Sequence, residues 1–182
     1  MDTLIATSVR RAQPSDAAAL TALVNRAYSI EASFVDGERT SADEMAELIT
    51  AGGFLVLEYP QGIAAAVRFQ APGARPELPP TAAYFGMLSV HPELQGMGLG
   101  RRLVQVVEAM AEAAGATTMC LRMINLREEL SRWYKSLGYR EVGTSPYPAR
   151  STKRPCHFIE MAKPLVAAAP VYASRELGAA VI

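Results

Sequence analysis

The sequence predicts a mixed α/β (α+β) fold, with a central sheet of about six to seven strands flanked by about four helices. Apolar runs of strand length alternate with amphipathic helical patterns in the order β-α-α-β-β-β-α-β-α-β-β. Residues 83–123 form a strand, a helix and a second strand, so these two strands should run parallel. A glycine-rich turn, residues 95–102, connects the first of them to its helix. We therefore expect the sheet to be organised around this turn.

The N-terminal part predicts one strand and two helices. The strand spans Ile5 to Arg10, and Pro14-Ser15-Asp16 begins the first helix, with Ser15 as its cap. Ser41 and Glu44 have the spacing of a capping box and begin the second helix, which ends at Gly52-Gly53. The buried positions of the two helices are Leu20, Leu23, Val24 and Ala27, then Met45, Leu48 and Ile49.

The middle of the chain predicts a hairpin followed by the parallel unit. Phe54 to Tyr59 and Ile63 to Gln70 are expected to pair in antiparallel fashion across a proline-containing turn. Ala71 to Pro80 contains four prolines and a glycine, and is predicted to be a surface loop. A buried strand over 83–90 and an amphipathic helix over 98–114 follow.

The C-terminal part predicts a strand over Thr117 to Met123 and then a helix over 126–137, which Gly138 ends. Two further strands, Tyr139 to Gly143 and Phe158 to Met161, enclose a proline-rich loop, Ser145 to Pro155. We expect one domain over residues 1–164. The alanine-rich tail, 165–182, is compatible with a last helix or strand, with a subunit contact in a homodimer, or with a loose segment.

Composition narrows the class of protein. The 182 residues include 18 basic and 18 acidic side chains, so the formal charge is zero and no polybasic surface for nucleic acid or membrane is expected. No apolar run approaches the length of a membrane span, and the N-terminus lacks the features of a signal peptide. Two distant cysteines and two histidines predict neither a disulfide framework nor a metal site. We expect a soluble cytoplasmic protein.

The turn Gln95-Gly96-Met97-Gly98-Leu99-Gly100-Arg101-Arg102 indicates phosphate binding. The first amides of a helix lack intrahelical partners and lie at the positive end of its dipole. Glycines allow the backbone to approach a phosphate closely. The two arginines at the helix start are unfavourable against the dipole unless an anion meets them. No Lys-Ser/Thr pair follows, so a nucleoside-triphosphate P-loop is disfavoured.

Two motifs carry a resemblance to a known family. Gln95-x-x-Gly98-x-Gly100, after a strand that ends in Leu88-Ser89-Val90-His91-Pro92, resembles the acyl-CoA-binding motif of the GNAT N-acetyltransferase superfamily. Trp133-Tyr134-Lys135-Ser136-Leu137-Gly138-Tyr139 resembles its second signature. The likeness covers about residues 4 to 164, and the order of the motifs makes it more specific than either motif alone.

The resemblance implies acetyl-CoA as acyl donor and no metal. Main-chain amides of residues 95–101 would hold the pyrophosphate, and backbone groups of Leu88, Ser89 and Val90 would pair with the pantetheine arm in a gap between the two parallel strands. An amide near Leu88 would polarise the thioester carbonyl. Arg101 and Arg102 would reach the phosphates; the alternative for each is a solvated charge at the helix start.

Two further side chains are singled out by the same resemblance. Tyr134 matches a tyrosine that often protonates the departing thiolate, while its alternative role is core packing on a helical stripe. Asn125 lies nine residues before Tyr134, where the family usually has its cofactor-binding asparagine seven before; Arg127 occupies that position. Cofactor binding and helix capping are both open for Asn125.

The acceptor side is less defined. Candidates for the general base are Glu31, Glu58, Tyr84 and His91, acting alone or through an ordered water. Ala27 to Thr40 and the Ser145 to Pro155 loop should form the wall opposite the cofactor.

The resemblance implies transfer of an acetyl group to the primary amine of a small or amino-acid-like acceptor by direct attack. The alternatives are a protein N-terminal or lysine acetyltransferase and a non-catalytic acyl-CoA-binding module.

Overall fold

The computed structural model describes residues 8–148 and 152–165, which form a seven-stranded sheet and four α-helices. The strands are β1 (Ser8–Arg11), β2 (Phe54–Tyr59), β3 (Gly62–Gln70), β4 (Ala82–Val90), β5 (Thr118–Ile124), β6 (Arg140–Pro146) and β7 (His157–Pro164). The helices are α1 (Ala17–Tyr28), α2 (Ala42–Thr50), α3 (Leu99–Ala113) and α4 (Glu128–Ser136). This architecture confirms the predicted mixed fold.

The sheet has the strand order β1-β2-β3-β4-β5-β7-β6. Its neighbouring strands are antiparallel except for β4 and β5, which run parallel as the strand–helix–strand pattern predicted. The hairpin of β2 and β3 turns at residues 59–62, also as predicted. Residues 71–80 form neither helix nor strand.

The start of the chain differs from the prediction in two details. The described first strand runs to Arg11, while residues 5–7 of the expected strand lie outside the described part. Pro14–Asp16 forms a 3₁₀ turn before α1, and Ser15 is not its cap. Instead, Asp16 accepts a hydrogen bond from the Gln13 amide at 2.7 Å and forms an ion pair with Arg10. A charged partner from β1 thus makes Asp16 the anchor of this turn.

The second helix begins as predicted but with half of the capping box. Ser41 Oγ accepts a hydrogen bond from the Glu44 amide at 3.2 Å. The Glu44 carboxylate accepts from Thr40 Oγ1 at 3.0 Å, one residue before the expected partner.

At the other end of the chain, β6 continues three residues past the predicted Gly143, to Pro146. Of the predicted tail, 165–182, only Leu165 belongs to the described residues.

The sheet separates two hydrophobic cores. Successive side chains of a strand point to opposite faces, and in β2 Leu55 and Leu57 join one core while Phe54 and Val56 join the other. Helices α1 and α2 cover the second of these faces, and α3 and α4 cover the first. The largest fully buried side chains include Tyr139, Phe85, Leu103 and Met119 on the α3 face, and Leu20 and Met45 on the α1 face.

The parallel pair β4 and β5 diverges after a short ladder. Its register covers Ala82↔Thr118 to Tyr84↔Cys120 and no further residues. Beyond it, Met87 has a left-handed φ of 49°, and the register with β3 shifts between Ala66 and Arg68. A bulge of this kind bends its strand. The bend leaves an opening in the sheet, as the resemblance implied. In the described part of the chain, no helix is long and apolar enough to cross a membrane.

Candidate active site

A cleft of about 630 Å³ occupies the opening between β4 and β5. Much of its lining comes from the end of α1, the outer half of β4, the glycine-rich turn, the end of β5 and one face of α4, and further side chains come from α2, β3 and the loops at 71–80 and 147–148. A concave site at the point where a sheet opens is a usual place for ligand binding.

The glycine-rich turn presents its backbone to this cleft. Gly96 and Gly98 have φ values of 81° and 79°, a conformation that residues with a Cβ rarely adopt. No heavy atom lies within 4 Å of a Cβ added at either position, apart from the adjoining residues. Gly98 is the N-cap of α3, and its helix begins with amides that have no intrahelical partner. The turn therefore offers several N–H donors to an anion.

Gly100 has a different role in the same turn. A Cβ there would lie 3.5 Å from Val90 Cγ2 and 3.6 Å from Trp133 Cη2. These are ordinary van der Waals distances, so the first turn of α3 packs closely on β4 and α4. A Cβ would therefore fit at 100, whereas the left-handed backbone at 96 and 98 favours glycine.

The outer half of β4 forms one wall of the cleft. After Tyr84 it has no ladder partner on its β5 side, so an extended ligand can reach its backbone there. Leu88 and Val90 line the cleft. Ser89 points the other way: it is buried, and its Oγ donates to the Met87 carbonyl at 3.1 Å.

Tyr134 lies in the cleft on α4 with 5% of its surface exposed. Its ring packs against Trp133, Phe85 and Tyr139, with centroid distances of 4.8, 6.0 and 5.9 Å. Burial raises the pKa of Tyr134 above its usual range, and the nearby Tyr28 and Tyr84 phenols add to this shift. The phenol is therefore neutral and holds its proton at physiological pH.

The end of α1 and the segment after it form the opposite wall. Glu31 is 9% exposed, and its carboxylate lies 3.4 Å from Nη1 of Arg127. Burial raises the pKa of Glu31, and Arg127 opposes this shift. Burial also raises the pKa of its neighbour Tyr28 to about 12. The wall thus carries a carboxylate with an affinity for protons above that of a solvated glutamate.

The two segments predicted to form the acceptor wall, 27–40 and 145–155, contact each other. Val35 forms an antiparallel bridge with Thr152, and the Lys153 amide donates to the Phe34 carbonyl at 3.0 Å. Tyr147 and Pro148 line the cleft together with Arg39. Asn25 supports this wall, since its side-chain amide bonds both the N–H and the carbonyl of Thr40, at 3.0 and 2.9 Å.

Most of the site residues predicted from sequence lie around the cleft. The lining includes Leu88, Val90, Gln95, Gly96, Gly98, Leu99, Gly100, Arg101 and Tyr134. Ser89, Met97, Arg102 and Asn125 are not part of it. Met97 is 54% exposed at the tip of the turn.

Asn125 makes a local contact. Its side-chain Oδ1 accepts a hydrogen bond from the backbone N–H of His157 at 2.9 Å, and its backbone N–H donates to the His157 carbonyl at 3.0 Å. These bonds extend the pairing of β5 and β7 by one residue. The N-cap of α4 is Arg127, so the capping role considered for Asn125 is wrong. Its cofactor role stays a prediction.

Two of the four candidate bases lie at the cleft. Glu31 and Tyr84 line it. Glu58 pairs with Arg10 at 2.7 Å on β2, and His91 precedes the turn at Pro92; neither lines the cleft.

Sequence reasoning did not assign several lining side chains to the site, among them Arg68, Arg75 and Arg127. One signal was available: Arg68 interrupts the apolar run of β3. Arg75 lies in a loop and Arg127 at the start of a helix, and whether such residues meet depends on the tertiary fold.

Comparison with known proteins assigns the family. The model of the acetyltransferase (GNAT) domain matches residues 50–141. No curated protein sequence matches the chain.

Solved structures share the fold. The putative acetyltransferase yncA from Salmonella typhimurium, solved with its cofactor acetyl-CoA, is 22% identical, covers 90% of this chain and 96% of its own, and has a TM-score of 0.70. The ribosomal-protein-S18-alanine N-acetyltransferase from Escherichia coli is 20% identical over 91% and 98%, with a TM-score of 0.69. An N-acetyltransferase from Staphylococcus aureus Mu50 is 16% identical over 88% and 99%, with a TM-score of 0.72. With the family model matching half of its length, the chain belongs to the GNAT family and is an acetyl-CoA-dependent N-acetyltransferase.

Proposed function

We propose that the enzyme transfers the acetyl group of acetyl-CoA to the primary amine of a small, amino-acid-like acceptor. One observation carries the proposal: the glycine-rich turn, Tyr134 and the wall around Glu31 border the same cleft. Two ligands that enter from its two sides would meet beside Tyr134. Holding both reactants in this way lowers the barrier through proximity.

The donor would be held mainly by backbone. Within residues 95–101, the Gln95 amide already donates to the Pro92 carbonyl, so the amides that follow it, up to the first turn of α3, bind the pyrophosphate. Arg101 and Arg102 reach its charged oxygens. The pantetheine arm extends along the unpaired edge of β4, at Leu88, Ser89 and Val90. This course brings the thioester to the bulge at Met87, where a strand amide near Leu88 polarises its carbonyl.

The reaction follows from the groups around that point. The lone pair of the neutral amine attacks the thioester carbon and forms a C–N bond, and the carbonyl oxygen becomes an oxyanion that the β4 amide stabilises. The oxyanion then re-forms the C=O bond as the C–S bond breaks with its electron pair on sulfur. Tyr134, whose buried hydroxyl carries its proton, donates that proton to the thiolate and then regains one from solvent. Glu31, directly or through water, accepts the proton that the amine loses.

The shape of the acceptor wall supports a small acceptor. The bridge between Val35 and Thr152 joins the two segments of this wall. A cleft of about 630 Å³ must also accommodate the acyl end of the donor, which leaves space for a compact amine.

Release of free thiol from acetyl-CoA tests this proposal. The assay should include amino acids, polyamines, simple alkylamines and short peptides with free N-termini, with Tyr134→Phe as control. We expect turnover with small amines and a loss of turnover in the variant. Turnover with peptides alone would replace the proposal by protein N-terminal or lysine acetylation. Binding of coenzyme A without turnover of any amine would indicate a non-catalytic module.

A further inference from the structure

Arg68 is the unusual cation of the cleft. It lies on β3, is half-buried, and lines the cleft. Its Nε is buried and has no hydrogen-bond partner. Within residues 8–148 and 152–165, no carboxylate forms an ion pair with it. A buried donor without a partner is costly, more so on a charged group. Burial and the nearby Arg75 accordingly lower the pKa of Arg68.

The neighbours of Arg68 do not neutralise it. Arg75 stacks its guanidinium on the Tyr84 ring, 4.0 Å from the ring centroid, and pairs with Glu77. Glu44 also lines the cleft and acts on Arg68 electrostatically, but it is an exposed residue whose carboxylate accepts a hydrogen bond from Thr40 and forms no ion pair with Arg68. The Arg68 guanidinium is therefore left without a direct ionic partner in this part of the cleft.

The position of Arg68 is close to the expected reaction point. Its ladder partner is Gly86, two residues before Leu88 on β4. Gly86 has no side chain, and a Cβ there would lie 3.3 Å from the Tyr84 hydroxyl, so this phenol covers the strand beside Arg68. Tyr84 also influences the titration of Tyr134. Tyr84 is thus near enough to act electrostatically on both the unpaired guanidinium and the proposed acid.

We propose that Arg68 binds an oxyanion of the acceptor, a carboxylate or phosphonate carried by the same molecule as the reacting amine. This inference rests on the proposed function and deepens it: the enzyme selects amino acids or aminophosphonates over neutral amines. A guanidinium suits this role because its planar fork bonds two oxygens of one anion. Binding would give the Arg68 Nε its missing partner.

The test compares matched acceptors that differ in the anion. Each of the common amino acids is assayed beside its carboxamide and its decarboxylated amine, and aminoalkylphosphonates form a third arm. For the best acceptor we expect kcat/KM to exceed that of the carboxamide by about 30-fold or more, as a buried charge pair commonly provides. The carboxylate and phosphonate arms distinguish the two anions. Equal use of acid and amide by the wild-type enzyme overturns the inference.

Three variants connect this preference to Arg68. Arg68→Gln should lower kcat/KM for the anionic acceptor about 30-fold and leave the neutral amine nearly unchanged. Arg68→Lys should be intermediate, because it keeps the charge and loses the fork. Arg140→Gln, on the exposed strand β6, is the control and should leave kcat/KM unchanged for both acceptors.

The two proposals fail in different ways. If Arg68→Gln lowers kcat/KM equally for the anionic and the neutral acceptor, the inference is wrong and the proposed function stands. If no amine of any class releases thiol, the proposed function falls, and the inference with it.

Discussion

The two sides of the cleft are built from different materials. The side that we propose for acetyl-CoA, the donor side, consists largely of backbone: the turn at Gly96 and Gly98, the first amides of α3, and the unpaired edge of β4. The side that we propose for the amine, the acceptor side, includes the side chains of Glu31 and Arg68.

This difference shows how one fold can keep a donor and change its acceptor. A backbone site depends on glycine and on strand geometry, so few substitutions are tolerated there. A site made of side chains changes its chemistry with single substitutions while the sheet persists. We therefore expect variants on the donor side to act on coenzyme A binding, and variants on the acceptor side to act on amine selection and proton transfer.

Gly98→Asp should have the largest effect. Its φ of 79° is tolerated by aspartate better than by most residues, and a Cβ there meets no neighbour, so the fold should persist. The new carboxylate would oppose the pyrophosphate, and we expect coenzyme A affinity to fall at least about 100-fold. Calorimetric titration measures this loss.

Gly98→Asn is the matched control, because it adds nearly the same atoms without charge. We expect it to weaken binding by about tenfold or less. If the aspartate variant binds coenzyme A as tightly as the wild type, the turn does not hold the pyrophosphate.

Tyr134→Phe should lower kcat by one to two orders of magnitude, about the lower end of the usual range for acid–base catalysis, with coenzyme A affinity nearly unchanged. The phenylalanine keeps the contacts of the ring with Phe85 and Trp133. Because the pKa of Tyr134 is raised, the wild-type acid stays protonated as pH rises to about 10, so it should cause no alkaline loss of activity below that pH.

Tyr139→Phe is the matched control for this prediction. Its hydroxyl donates to Glu108 at 2.7 Å, on the side of α3 and away from the cleft. The substitution should lower the free energy of unfolding by about 1 kcal/mol and leave kcat unchanged. Equal turnover of the wild type and Tyr134→Phe across the amine panel would remove Tyr134 as the acid.

Glu31→Gln should have a smaller effect, about tenfold or less in kcat, because an ordered water can relay the proton. The base must be ionised to accept a proton, so activity is lost as the pH falls through the pKa of Glu31. Since burial raises the pKa of Glu31 above 4.5, the acid limb of the wild-type profile should lie above that value. This loss of activity at low pH should disappear in Glu31→Gln and persist in Glu58→Gln, because Glu58 lies outside the cleft. An unchanged limb in Glu31→Gln would exclude Glu31 as the base.

The two sides also differ in what the sequence could predict. The order of strands and helices follows from apolar periodicity, and the turn follows from glycine spacing, because both are local signals. The prediction of Ser15 as the helix cap was wrong, because Asp16 accepts the Gln13 amide and is held by Arg10 from a separate strand. Arg68 could be noticed as a charge in an apolar strand, but its missing partner is visible only after the fold brings β3 beside Tyr84.

Asn125→Ala should have the smallest effect and tests where the donor side ends. Its Oδ1 accepts from the His157 amide at the end of the β5–β7 ladder, and its side chain does not line the cleft. We expect the free energy of unfolding to fall by about 1 kcal/mol and coenzyme A affinity to change less than about twofold. Chemical denaturation and calorimetric titration measure the two quantities. A tenfold loss of coenzyme A affinity without loss of stability would instead extend the donor site to Asn125, so that this side too would depend on a side chain.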